Sequence, residues 1–162
     1  MADWQIQLTL ISLAIVLTAA FLAVKGWRRR TREQASLLDE PAMAPAEFGS
    51  LLEANRGDYV ATTFADDYLN RVSAYGLGIR GKADFELFDN GLLILRHGER
   101  PLFIASAEMN SVERNQAVID RAVERNGLLT IVHRGNLATH IRLAKSEANE
   151  RFFNLLKKEV IN

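Results

Sequence analysis

The feature that most constrains this chain is an uncharged run of nineteen residues, Ile6 to Val24 (IQLTLISLAIVLTAAFLAV). As an α-helix it would span roughly 28 Å at 1.5 Å per residue, close to the hydrocarbon thickness of a bilayer. It is apolar on every face, which a helix at the surface of a soluble core is not. Trp4 and Trp27 stand at its two ends, where indole rings favour the membrane interface. Lys25, Arg28, Arg29, Arg30 and Arg32 follow the run, and only Asp3 is charged before it. Basic residues stay on the cytoplasmic side, so the N-terminus is expected outside and the remainder in the cytoplasm. A secretory signal carries its charges in the opposite order and a small-residue cleavage site after the apolar run. Residues 1–32 therefore read as an uncleaved single-span anchor with a basic juxtamembrane segment. The arginines set topology, and they are also candidates to hold anionic head groups at about 1 kcal/mol each.

The rest of the chain is electrically balanced. Lys and Arg total 20, as do Asp and Glu. The first 46 residues hold five basic and four acidic groups, leaving 15 and 16 for the remaining 116. A domain of net charge −1 lacks the field that nucleic-acid binding needs, so no nucleic-acid partner is expected. There is no cysteine, which excludes disulfides, thiolate catalysis and Cys-based zinc sites. Residues 33–46 (EQASLLDEPAMAPA) contain Pro41 and Pro45, which stop a helix running on from the membrane. They read as a Pro/Ala-rich linker without an ordered fold of its own.

Residues 47–162 carry short β-type runs between turn signals. These are Tyr59 to Phe64, Ala83 to Phe88, Leu92 to Arg96, Leu102 to Ala105, Leu128 to His133 and Ala138 to Leu143. In the second run Ala83, Phe85 and Leu87 alternate with Asp84, Glu86 and Phe88, and Asp89-Asn90-Gly91 supplies a hairpin turn. Asn126-Gly127 and Gly135-Asn136 punctuate the later runs. The spacing implies an all-β sandwich or barrel. The period then changes. Ser146 is placed to cap a helix with acids in its first turn, and Lys157 and Lys158 complement its last turn. Ala148, Phe152, Leu155 and Leu156 form its apolar stripe, widened by Phe153 and Val160, and the open end of the barrel is the surface to bury it. Between Glu108 and Arg125 the expectation is a strand around Val112 followed by a short helix or loop. Met109, Val112, Gln116, Ile119 and Val123 would alternatively share one helical face.

Gly76-Leu77-Gly78-Ile79-Arg80-Gly81 is a literal G-x-G-x-x-G. The dinucleotide fingerprint requires a strand before it and a helix opening at it. Here Asp66 to Tyr75 reads as a short helix, capped by Asp66 or Asp67, with Leu69 and Val72 on one face and Gly76 at its C-terminal end. The residues after Gly81 are β-type, so no helix dipole would face a phosphate. The glycines serve the backbone. His97, His133 and His140 are the only histidines. With a two-residue turn at Gly135-Asn136, His133 faces Ala138 and His140 lies diagonally on the same sheet face. Two histidines fall short of the three or four ligands of a zinc site, so both read as surface or rim residues. No catalytic, cofactor-binding or metal site is expected.

The sequence resembles a bacterial family of short proteins with one N-terminal span and a cytoplasmic pleckstrin-homology (PH)-like domain. The resemblance is carried by Tyr59 to Thr63, Arg71 to Gly81 (RVSAYGLGIRG), Asp89 to Arg96, Leu102 to Ala105 and Asn126 to Val132, in that order behind the anchor. It implies about seven antiparallel strands in a partly open barrel closed by the C-terminal amphipathic helix, and a binding or scaffolding role without a reaction. It also implies a place in the bacterial cell membrane. PH domains often hold phosphoinositides near their first strand-to-strand loop; only Arg71, Arg80 and Lys82 fall in the matching region here. The leading expectation is a membrane-tethered, non-catalytic module that recruits a protein partner at the cytoplasmic face, anchored in the bilayer through residues 6–24. The alternatives are an anionic-lipid-binding module using Arg28, Arg29, Arg30, Arg32, Arg71, Arg80 and Lys82, or an accessory subunit of a membrane transport complex. Ala14, Ala19, Ala20 and Ala23 offer small residues for helix contacts in that last case.

Overall fold

The computed structural model describes residues 3–38, 40–41, 45, 47–115, 117–118, 121–122, 127–144 and 146–161. The chain divides into two compact units, residues 1–38 and 39–162. The first is a single helix, α1 (Asp3–Leu37), long and apolar enough to cross a membrane. Its side chains from Trp4 to Trp27 are exposed. Inside the apolar run, the hydroxyls of Thr9 and Thr18 donate to the carbonyls of Gln5 and Ala14 at 2.8 and 2.7 Å. The helix thus satisfies these two hydroxyls internally, as a lipid environment favours. It continues past the basic cluster to Leu37, so residues 33–37, expected to be part of an unstructured linker, are helical. The (i, i+4) pair of Arg29 with Glu33, 2.7 Å apart, supports that extension.

The second unit is a strongly bent antiparallel sheet. Its strands are β1 (Leu51–Phe64), β2 (Asp67–Arg71), β3 (Gly81–Phe88), β4 (Gly91–Arg96), β5 (Leu102–Ala105), β6 (Met109–Asn115), β9 (Leu128–His133) and β10 (Leu137–Leu143). Between β6 and β9 lies a two-stranded ribbon, β7 (Ala117–Val118) and β8 (Arg121–Ala122). Seven strands follow the order β5-β4-β3-β1-β10-β9-β6, with β2 paired to β1 off this path. The result is a half-barrel. The closing helix α2 (Ser146–Ile161) packs against β6 and β10. Phe152 and Leu156 of α2 are fully buried, each worth about 1.5–3 kcal/mol of apolar burial. The Arg114 guanidinium lies 4.2 Å from the Phe153 ring centre and pairs with Glu150, and Arg151 pairs with Glu53. The side chains of Ser146 and Ala148, expected to cap the helix and begin its stripe, lie outside the described residues.

Alternation along the strands sets the core. Phe85 pairs with Ile94 and Leu87 with Leu92, and all four are fully buried. On the opposite face a satellite cluster forms from Phe88, Leu93 and Phe103, with Phe48 against them. β1 can serve both halves of the sheet because it carries a bulge between Tyr59 and Ala61. That extra residue turns Thr62, rather than Ala61, to the side that Tyr59 occupies.

Three local expectations change. Asp66 to Tyr75 is not a helix: the chain turns back at Ala65-Asp66, and β2 pairs with β1. The backbone N–H of Val72 reaches the Thr62 carbonyl at 2.9 Å, so pairing to a neighbouring strand outweighs the Leu69/Val72 helical spacing. Only a 3-10 turn, Ala74–Gly76, remains. Between Glu108 and Arg125, the expected strand around Val112 is β6, which also holds Met109, and a two-stranded ribbon follows where a short helix or loop was expected. Gln116, Ile119 and Val123 lie outside the described residues. In the β9–β10 hairpin, His133 pairs with Leu137 across Arg134-Gly135-Asn136. That one-residue slip puts His133 and His140 on opposite faces.

Candidate functional site

The two histidines expected at the surface are both buried, at 1% and 2% exposure. His133 ends a chain of hydrogen bonds through the half-barrel. Tyr59 Oη donates to the Leu77 carbonyl at 2.7 Å, and lies 2.7 Å from Thr62 Oγ1. Thr62 Oγ1 is 2.7 Å from Thr139 Oγ1, which is 2.9 Å from His133 Nε2. A carbonyl only accepts, so the single Tyr59 proton is spent on Leu77. Thr62 must then donate to Tyr59, Thr139 to Thr62, and His133 Nε2–H to Thr139. Proton counting thus fixes His133 as the neutral Nε2–H tautomer, with an unpartnered lone pair on buried Nδ1. Protonation would place an N–H there without an acceptor. Burial, with a smaller contribution from the Arg134 charge, lowers its pKa to about 4.

His140 sits on the other face between Thr63 Oγ1 and Thr130 Oγ1, 2.9 Å from each. Burial alone lowers its pKa to about 4. Arg96, 6% exposed, extends the first chain: its guanidinium lies 5.1 Å from the Tyr59 ring centre. It donates to the carbonyls of Arg100, Gly76 and Tyr75 at 2.9, 2.8 and 3.5 Å. The last two belong to consecutive residues with positive φ, 55° at Tyr75 and 68° at Gly76. Arg96 therefore holds a backbone shape that a tyrosine adopts only under constraint. These groups organise the structure; none is a nucleophile with an adjacent base exposed to solvent.

The connection from β2 to β3 is where the glycine motif lies. A side chain at Gly78 would come within 2.8 Å of the Val72 carbonyl oxygen, whereas at Gly81 the nearest atom is 3.9 Å away. The motif therefore contains one glycine set by φ, one by close backbone approach, and one with neither requirement. β3 follows it, so no helix opens there to meet a phosphate. Around this connection Tyr68, Leu69 and Ile79 are exposed at 58%, 62% and 45%. Sequence periodicity missed them because it placed Leu69 on the buried face of a helix. The turn after Phe64 was the available signal.

The basic candidates occupy separate settings. Arg28, Arg29, Arg30 and Arg32 lie exposed on α1, with Trp4 and Trp27 also exposed. Arg71 is half-buried at the end of β2 and has an interaction within the structure. Arg80 is exposed in the loop. Lys82 pairs with Asp58 across β1 and β3 at 2.8 Å. Next to it, Arg56 and His97 both reach Asp84, at 3.2 and 3.0 Å. The hydrogen bond from His97, then the Arg56 charge, hold the Asp84 carboxyl below its usual range against the opposing effect of burial. A cleft of about 440 Å³ between these strands is lined by Arg56, Asp84 and Glu86, among others. Among the described residues no group of three His, Cys, Asp or Glu side chains could hold a metal ion.

A family model described as "Bacterial PH domain-like" matches residues 38–156. No curated protein matches the chain. Among solved structures, the C-terminal domain of an unknown protein from Leishmania infantum superposes with a TM-score of 0.50 at 9% identity. That likeness covers 86% of this chain and 99% of the other and concerns the fold. A structure described as Vav1 inhibited by an allosteric inhibitor gives 0.47 at 14% identity, over 86% of this chain and 34% of that one. The matched segment takes in all the strands and most of α2, so this chain belongs to the bacterial PH domain-like family.

Proposed function

We propose that this protein is a membrane-tethered, non-catalytic PH-like module that recruits a protein partner at the cytoplasmic face of the bacterial cell membrane. Residues 6–24 cross the bilayer with the N-terminus outside, fixed by the basic cluster that follows them. The observation that carries the partner reading is the exposure of Tyr68 and Leu69 on β2 and of Ile79 in the connection that follows it. Exposed apolar side chains close together in the chain favour a protein surface. An anionic-lipid site is less well supported, because Lys82 is already neutralised by Asp58 and Arg71 is engaged. Within the domain that leaves Arg80, a poor head-group cradle by itself; the exposed Arg28, Arg29, Arg30 and Arg32 lie on α1.

The test is affinity capture of the full-length protein from detergent-solubilised membranes, beside a Leu69→Asp/Ile79→Asp variant. A partner recovered reproducibly with the natural sequence and lost with the variant is expected. Equal recovery by both, or no partner at all, would overturn the reading. Binding of the full chain to anionic but not neutral vesicles, abolished by Arg80→Gln, would favour the lipid alternative instead.

A further inference from the structure

The connection from β2 to β3, residues 72–80, is fastened along its backbone. Each carbonyl from Ala74 to Leu77 accepts a hydrogen bond. That of Ala74 accepts from the Leu77 N–H at 3.0 Å, and that of Gly76 from the Ile79 N–H at 3.1 Å. Arg96 reaches the carbonyls of Tyr75 and Gly76. The Leu77 carbonyl accepts twice, from the Thr62 N–H at 2.8 Å and from Tyr59 Oη at 2.7 Å. At Gly78 the chain lies against the end of β2: a Cβ there would stand 2.8 Å from the Val72 carbonyl oxygen and 3.6 Å from the Arg71 Cβ. The stretches that carry Leu69 and Ile79 therefore touch.

Two consecutive residues with positive φ, one of them Tyr75, make a shape that a free chain seldom visits. Here the side chains that hold it, Arg96 and Tyr59, are both buried. The turn is thus fixed on folding, and exposed Ile79 needs no backbone ordering when a partner arrives. Preorganisation of that kind raises affinity by lowering the entropy lost on binding. Arg80 comes next. It is the only charged residue of 72–80, is exposed, and forms no ion pair with a described residue. Lys82, by contrast, is neutralised by Asp58. The acids Asp66 and Asp67 stand before Tyr68, and Asp67 Oδ1 accepts the Leu69 N–H at 3.1 Å.

We propose that Ile79 and Arg80 are the paired anchor of this surface, fitting a partner protein whose apolar pocket carries a carboxylate at its rim; this rests on the partner reading and deepens it. Ile79 supplies apolar area, and Arg80 a planar fork that a carboxylate meets with two hydrogen bonds. The contact is part charge, and charge sets orientation and encounter rate. Gly78 and Arg96 are positioning residues. Gly78 lets the two stretches meet, and Arg96 holds the turn that aims Ile79. A glycine of the G-x-G-x-x-G motif thus serves recognition of a protein surface.

Photo-crosslinking tests this in the full-length protein in its native membranes, with p-benzoylphenylalanine in place of Tyr68. Irradiation is expected to label one protein, on a peptide that holds Asp or Glu among apolar residues. The yield should fall about tenfold in Arg80→Glu, as for a lost charge pair, and less in Arg80→Lys. It should fall with rising salt in the natural sequence and be insensitive to salt in Arg80→Gln. Gly78→Ala should lower it about threefold and speed amide exchange from Val72 to Ile79 while β9 and β10 stay protected. A labelled protein whose yield ignores both Arg80→Glu and salt would overturn the paired anchor and leave the partner reading standing. An unchanged yield in folded Gly78→Ala would overturn its positioning role; should that variant not fold, Arg80→Glu and the salt series still decide. Label on lipid alone, or on no protein, would overturn the anchor and the partner reading together.

Discussion

The two faces of the β9–β10 hairpin solve one problem in different ways. Each buries an imidazole. His140 has a threonine hydroxyl at both nitrogens, so its neutral ring is fully satisfied. His133 has one hydroxyl, and the direction of its hydrogen-bond chain is dictated from Tyr59 at the far end. His133 is therefore committed to one tautomer by a carbonyl several side chains away, whereas His140 can donate from either nitrogen. Neutrality is bought on one side by a one-way chain and on the other by symmetric partners.

Acid offers the largest test of this difference. Both imidazoles have folded pKa values near 4, below the ordinary 6.5. Between those values the unfolded chain binds more protons, so stability is full above about pH 6.5 and falls as pH drops towards 4. The loss is up to about 3 kcal/mol per imidazole, measurable by urea unfolding between pH 7.5 and 4. A flat profile would contradict neutral burial, and His133→Gln should remove only that ring's share. Next in size, Arg96→Leu should cost about 3 kcal/mol through loss of charged hydrogen bonds to three carbonyls. It should also raise amide exchange from Tyr75 to Leu77, where the positive-φ pair is held.

The direct comparison is smaller. Thr139→Val leaves His133 with no partner, and should cost about 2 kcal/mol. Thr63→Val leaves His140 still bonded to Thr130, and should cost about 1 kcal/mol. Equal losses in thermal or urea unfolding would erase the distinction drawn between the faces. The smallest stability effect is expected at Leu69→Asp and Ile79→Asp, within about 0.5 kcal/mol for exposed positions. A larger loss would show that these side chains support the fold rather than a partner surface.

Much of this architecture was legible in the residues. The apolar run, the alternation of Ala83, Phe85 and Leu87, and the Phe152/Leu156 stripe each follow from a single local period. The first half of β1 was not legible, because Glu53, Asn55, Arg56 and Asp58 face partners that only the sheet supplies. Asp67 to Arg71 failed for a related reason: helical spacing and a short hairpin strand cannot be separated without knowing that β1 lies alongside. The histidine placement turned on one residue of hairpin length. Arg134 and Gly135 both adopt positive φ, which lengthens the turn and flips every later side chain. The buried hydrogen-bond chain was invisible for the same reason, and because Thr62 lies 77 residues from Thr139 in the sequence. Of the basic candidates, Lys82 is paired with Asp58, and that pairing is a matter of register that the sequence does not show.

That register has a consequence for behaviour in salt. On the β1–β3 surface Asp58 answers Lys82, and Arg56 and His97 answer Asp84. Arg56–Asp84 and Lys82–Asp58 pair at 3.2 and 2.8 Å, so these charges add little potential beyond a Debye length of about 8 Å at physiological ionic strength. Encounters there are left to shape and apolar contact, and their rates should change little as ionic strength rises.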